Sequence, residues 1–178
     1  MNKLYFITSN KEKLKEAKEF IPEIEIFDIN LIEIQSFDPY EIIEHKLKEA
    51  QKHHKGKFLV EDTSLYLEGM NGLPGPLIKF FLKSIELDGI IKLTKEFGNK
   101  AIAKCIIGYN NGEEIKYFEG IIKGKIVVSK GENGFGWDKI FMPEGHFKTF
   151  AEMSLEEKNK ISHRREAFGK LKEYLDYK

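Results

Sequence analysis

Two arginines, Arg164 and Arg165, stand side by side behind Ser162 and His163, in a chain whose other fixed positive charges are 27 lysines. A guanidinium presents a planar fork of donors suited to phosphate or carbonyl oxygens, whereas a lysine ammonium is a flexible point charge. Both forks in one place point to an anion site there; a lysine-rich coding habit and coincidence would leave the same pattern. Ser162 has the chemistry of a helix N-cap, which puts His163 and Arg164 in a first helical turn, close to any anion that turn holds.

Three further groupings have residue types that do chemistry. Thr8-Ser9-Asn10 follows an apolar run and opens a helical stretch with Lys11, Glu12 and Lys13. A strand-to-helix junction of this kind attracts phosphate through the positive helix end, and first-turn lysines oppose that dipole unless an anion lies near. A capped helix with solvated lysines reads the same way, and the GxxxxGK[ST] spacing of a P-loop is absent. Glu61-Asp62 closes an apolar run, with Glu33 on an earlier extended segment. Carboxylates at a strand end sit where open α/β sheets bind ligands, suit magnesium and can take a proton from water, and equally can be solvated. Alternation puts Glu61 and Asp62 on opposite faces, so one of them points into a site directly. The stretch from Gly131 to Asp138 contains the single tryptophan, Trp137. Its glycines allow close backbone approach, and Phe135 or Trp137 has a face for a base, unless the loop buries Trp137 in the core. His45, His53, His54 and His146 lack metal-ligand spacing.

The elements that must position these groups alternate between strand and helix. Leu4 to Ile7 reads as a buried strand and Lys11 to about Phe20 as a helix, with Ser9 and Glu12 as a capping box. Ile24 to Phe27 reads as a strand, extended backbone continues to Gln35, and Asp38-Pro39-Tyr40-Glu41 opens a helix to about His54. Lys57 to Val60 is a strand ending at Glu61-Asp62. Asn71 to Pro76 is an irregular turn, followed by a helix from Leu77 that breaks near Asp88-Gly89 and resumes to Phe97. Asn110-Asn111-Gly112 joins strands Ala101 to Tyr109 and Ile115 to Ile122 as a hairpin, and Lys125 to Val128 extends the sheet. A short strand from Lys139 to Met142, a capping box at Ser154 and a helix from about Arg165 to Leu175 complete one α/β domain with a mixed sheet, residues 1–178.

A length of 178 residues fits one core, and 29 basic against 29 acidic residues cancel. That balance disfavours a nucleic-acid polymer as partner, leaving free nucleotides open. One cysteine, no signal peptide and no apolar stretch of membrane-spanning length make the cytoplasm the expected location, with no membrane partner.

Thr8 to Lys13, Glu61-Asp62-Thr63, Asn71 to Pro76 with Lys79, Phe135 to Asp138, Phe150 to Met153 with Lys158, and Ser162-His163-Arg164 occur in one order. From about Lys3 to the last helix the series resembles the inosine triphosphate pyrophosphatase family, which hydrolyses ITP, dITP and XTP to monophosphate and pyrophosphate. The resemblance implies an elongated, two-lobed α/β fold with a central mixed β-sheet flanked by helices, a homodimer and a magnesium cofactor (Mg2+). Carried over position by position, Thr8, Ser9, Asn10, Lys11, Glu12 and Lys13 hold the triphosphate, Asp62 is the catalytic base and a metal contact, and Glu33 is the second metal ligand. Thr63, Lys79, Lys158 and, across a one-residue gap, Lys46 line the nucleotide. Phe135, Gly136, Trp137, Asp138, His163 and Arg164 form the base pocket. Ser9 replaces a common glycine, and Thr63-Ser64 a common Ser-Gly pair, so backbone approach differs at both turns. A related pyrophosphatase for another modified nucleotide and a non-catalytic nucleotide sensor are the alternative readings.

Overall fold

A computed structural model describes residues 3–177. The apolar run Leu4–Ile7 forms β1, which pairs in parallel with β2 (Glu25–Phe27) on one side and β3 (Lys57–Leu67) on the other. A two-residue strand, β4 (Pro74–Gly75), pairs with the far half of β3. The sheet then continues antiparallel through β5 (Lys100–Asn110), β6 (Ile115–Ile126) and β7 (Phe141–Pro143), giving the order β2-β1-β3-β5-β6-β7. The Asn110-Asn111-Gly112 hairpin forms as read, with Asn111 Oδ1 accepting the N–H groups of Glu113 and Glu114 at 2.9 Å.

Side-chain alternation along β3 sends Leu59 and Glu61 to one face and Phe58, Val60 and Asp62 to the other. On the first face α1 (Lys11–Lys18) and α6 (His163–Asp176) bury Ala17, Ala167, Phe168 and Leu171 against Leu59, Cys105 and Ile107. On the second, α2 (Pro39–Gln51) packs Ile43, Leu47 and Ala50 onto Phe58, Val60 and Ile106. A third cluster joins α3 (Ile78–Ser84) and α4 (Glu86–Phe97) to Trp137, Phe141 and Phe150, close to the short α5 (Leu155–Lys158). No helix among the described residues is long and apolar enough to cross a membrane.

Four local expectations change. The strand from Lys57 runs on through Glu61-Asp62 to Leu67, because β5 offers partners along its whole length, from Phe58↔Asn110 to Leu67↔Ala101. Residues 28–37, read as extended backbone to Gln35, pair with no strand among the described residues. The break between α3 and α4 falls at Ile85 rather than at Asp88-Gly89, with Glu86 at φ 58° turning the chain. The cap of α1 is Asn10 rather than Ser9: its Oδ1 accepts the N–H groups of Glu12 and Lys13 at 3.0 and 3.2 Å.

Candidate active site

The β1–β3 ladder ends at Leu59 and the β4–β3 ladder begins at Leu65. Residues 60–64 of β3 have no ladder partner on that flank among the described residues, and a cleft of about 500 Å3 opens in the gap, a volume suited to a small ligand. Because the notch bares the strand edge, Glu61 and Asp62 both border the cleft despite facing opposite sides of the sheet.

One end of the cleft is the start of α1. Thr8 Oγ1 accepts the Asn10 N–H at 3.0 Å, fixing the turn that places Ser9 and Asn10 in the wall. Lys13 reaches back to Glu61, Nζ to Oε1 3.3 Å. At the middle, Lys46 projects from α2 between two carboxylates, 3.0 Å from Glu33 Oε1 and 3.1 Å from Asp62 Oδ1, while Lys79 lies 3.6 Å from Glu33 Oε2. Burial pushes the Asp62 carboxyl above its usual range, outweighing the opposing charges of Lys46 and Lys13. Burial acts the same way on Glu33, but there Lys46 and Lys79 prevail and the group is lowered. Asp62 Oδ2 is buried without a hydrogen-bond partner among the described residues. An unsatisfied buried carboxylate oxygen facing a cleft costs the fold and is free for a ligand or a proton.

The other end is aromatic. Gly134 has φ 73°, and a Cβ there would sit 2.1 Å from Asp138 Oδ2, so the loop closes tightly onto that carboxylate. Asp138 Oδ2 accepts the Phe135 N–H at 2.9 Å and pairs with Lys158 Nζ at 2.7 Å. Trp137 is 6% exposed and packs against Phe141 and His163, so it builds the wall, while the half-buried Phe135 is the more accessible ring. His163 is buried with neither ring nitrogen hydrogen-bonded among the described residues; burial, then the charges of Arg164 and Lys158, hold it neutral, well below its usual range. Ser162 caps α6, its Oγ accepting the Arg165 N–H at 3.1 Å. The first turn of α6 reaches the cleft because Gly120 lets it lie on β6: a Cβ there would be 1.9 Å from His163 O.

Arg164 is 1% exposed. Its Nε and Nη2 donate to Glu61 at 3.1 and 2.8 Å, Nη2 also to Thr63 Oγ1 at 3.1 Å, and Nη1 to Glu16. Burial favours the neutral acid at Glu61, but Arg164 and Lys13 outweigh it and hold the group well below the usual carboxylate range.

The cleft therefore brings together Thr8, Ser9, Asn10, Lys13, Glu33, Lys46, Asp62, Thr63, Lys79, Phe135, Gly136, Trp137, Asp138, His163 and Arg164. Lys11 and Glu12 point to solvent outside it, and Lys158 is buried behind it between Glu16 and Asp138. Glu16 carries no site signal in the sequence, because its place among lysines reads as a solvated helix face. Neither does Lys83, one turn beyond Lys79 and bordering the cleft.

The match to the family model of the Ham1 family covers residues 4–174. The chain belongs to the Ham1 family. The Ham1 match includes every residue bordering the cleft, from Ile7 to Arg164. The inosine triphosphate pyrophosphatase of Schizosaccharomyces pombe is 43% identical over 182 residues, covering 99% of this chain and 96% of the relative. The Ham1 protein of Staphylococcus aureus superposes with TM-score 0.82 at 29% identity, covering 98% of this chain and 99% of that one. A HAM1 protein from Coxiella burnetii superposes with TM-score 0.88 at 25% identity over all of both chains. The α/β fold with a mixed central sheet is thus the Ham1 fold.

Proposed function

We propose that this chain hydrolyses inosine and xanthosine triphosphates and their deoxy forms to the nucleoside monophosphate and pyrophosphate. The observation that supports this most is Asp62: a half-buried carboxylate with one buried oxygen unpartnered among the described residues, midway between a cationic helix start and an aromatic wall. The positive end of α1 with Ser9 and Lys13 faces the phosphates, and Lys46 and Lys79 lie at the carboxylates midway along the cleft. Asp62 takes the proton of an attacking water, Lys46 holds its other oxygen in place, and pyrophosphate departs toward α1. A raised Asp62 is a better base than an ordinary aspartate, provided the pH keeps it ionised.

Glu33 would hold magnesium directly and the free Asp62 oxygen would reach it through a water, because direct ligation would lower the basicity that proton transfer needs; magnesium takes one or two carboxylates and completes its shell with water and phosphate. Among the described residues no group of three or more acidic, histidine or cysteine side chains could form a fuller cage. Bound there, the ion would offset phosphate charge. A homodimeric assembly and a cytoplasmic location belong to the same proposal.

Base choice follows from donor and acceptor polarity. His163 has an uncommitted nitrogen donor that can meet the oxygen at purine position 6, whereas adenine presents an amine there. The test is pyrophosphate release from ITP, XTP, GTP and ATP, with and without magnesium. Turnover of ITP and XTP well above ATP is expected; equal turnover of all four, or none, would remove this reading.

A further inference from the structure

Glu16 does not border the cleft, yet it touches what holds both ends of it. It lies on α1 one turn after Lys13, so the two side chains leave the same side of the helix. Glu16 is 3% exposed. Its Oε1 accepts from Lys158 Nζ at 2.7 Å and its Oε2 from Arg164 Nη1. Lys158 passes on to Asp138, whose Oδ2 holds the Phe135 N–H. Lys158 Nζ and Arg164 Cζ stand 5.2 and 5.5 Å from the centre of the Phe135 ring, close enough for cation–π contact. Arg164 passes on to Glu61, and Glu61 to Lys13, back on α1.

Lys13, Arg164 and Lys158 are thereby balanced by Glu61, Glu16 and Asp138 in a circuit that leaves α1 and returns to it. Buried charges persist when each has a partner, and removing one strands the others. We propose that Glu16 is a positioning residue for base selection: its carboxylate fixes Lys158 and Arg164 against Phe135 and ties that ring to the helix bearing the phosphate site. This rests on the reading above, in which Phe135 meets the base and α1 the phosphates. Binding energy gained at the phosphates is then used to set the geometry at the aromatic end.

Glu16→Gln keeps the volume but loses the charge, and its amide nitrogen meets one of the two cations donor against donor. Glu16→Asp keeps the charge on a shorter stem. In Glu16→Gln, kcat/KM for ITP should fall about tenfold with that for ATP little changed, while inhibition by pyrophosphate stays within about twofold. Glu16→Asp should recover part of the ITP preference. Acrylamide quenching of Trp137, the one tryptophan and the neighbour of Asp138, should rise in Glu16→Gln. Lys158→Met should add little to it, because both changes cut the same link. An unchanged ITP-to-ATP ratio in a folded Glu16→Gln, or a matching loss of pyrophosphate inhibition, would overturn the assignment; if Gln does not fold, a Glu16→Asp with wild-type ratio does so. Wild-type protein that leaves ITP intact would count against the proposed function alone. Trp137 quenching, with IMP and AMP binding, would then still decide whether Glu16 sets the aromatic end.

Discussion

Arg164 commits four of its five N–H donors to Glu61, Glu16 and Thr63, so its fork holds the site together more than it faces a ligand. Replacing it with Ala would strand two buried carboxylates, at a cost of about 3–5 kcal/mol, and unfolding would obscure any change in selectivity. Thermal melts of Arg164→Ala should show that loss directly. His163 is the cleaner probe of base choice: His163→Phe keeps the packing against Trp137 and removes the donor, so the ITP preference over ATP should contract by roughly tenfold or more in kcat/KM. Equal discrimination in the two proteins would place recognition elsewhere. Asp62→Asn should lower kcat roughly 10²–10⁴-fold while nucleotide binding, followed by calorimetry, survives. Burial, ahead of Lys46 and Lys13, raises Asp62, so the acid limb of the wild-type kcat profile should lie above the ordinary aspartate range.

At the scale of elements, the site depends on two close approaches. Gly120 is remote from the reacting groups, but a methyl there meets His163 O and the Ala167 N–H, so Gly120→Ala must push α6 off β6. Overpacking of this kind costs about 1–3 kcal/mol. Because α6 delivers His163 and Arg164, KM for ITP should rise together with the loss in Tm, and a Gly120→Ala protein with wild-type kinetics would show that α6 has slack. Much of this was legible from local chemistry. Asp38-Pro39, Ser154 and Ser162 mark helix starts where α2, α5 and α6 begin, and Asn110 to Gly112 marks the hairpin, because caps and turns are decided within a few residues. What was not legible depends on distant partners. Glu61-Asp62 look like a strand end because acids end apolar runs, yet β5 keeps the ladder going and the missing neighbour on the other flank makes the cleft. Glu16 looks solvated because its cations, Lys158 and Arg164, come from more than 140 residues away in sequence. The extended pattern at 29–35 found no strand to pair with, and a β-pattern without a neighbour remains a loop wall.

For the whole molecule, concentrating ionised groups beneath one cleft makes stability depend on pH in a defined order. His163 is buried neutral, so below its ordinary value of 6.5 the unfolded chain takes up a proton that the folded chain refuses. Its effect is absent above that pH and grows as pH falls, with a slope approaching about 1.4 kcal/mol per pH unit. At Glu61 and Glu16 burial favours protonation, but Arg164 with Lys13 or Lys158 outweighs it and lowers both below 4.5. Their stabilisation is full above 4.5 and is lost as pH falls through the lower folded values. Asp62 and Asp138, raised above 3.8 mainly by burial, act in the opposite sense, since acid relieves the cost of their ionisation. The two losses are therefore separated along the pH axis, imidazole first and the buried glutamates later. Urea unfolding from pH 8 to 4 should show stability constant down to about 6.5, then a decline that His163→Phe removes down to about 4.5, below which both proteins lose stability as the buried glutamates take up protons, the wild type more steeply. Parallel curves for wild type and His163→Phe from pH 7 to 5 would mean that the folded protein admits a proton to His163, and the neutral donor assigned to base recognition would go with it.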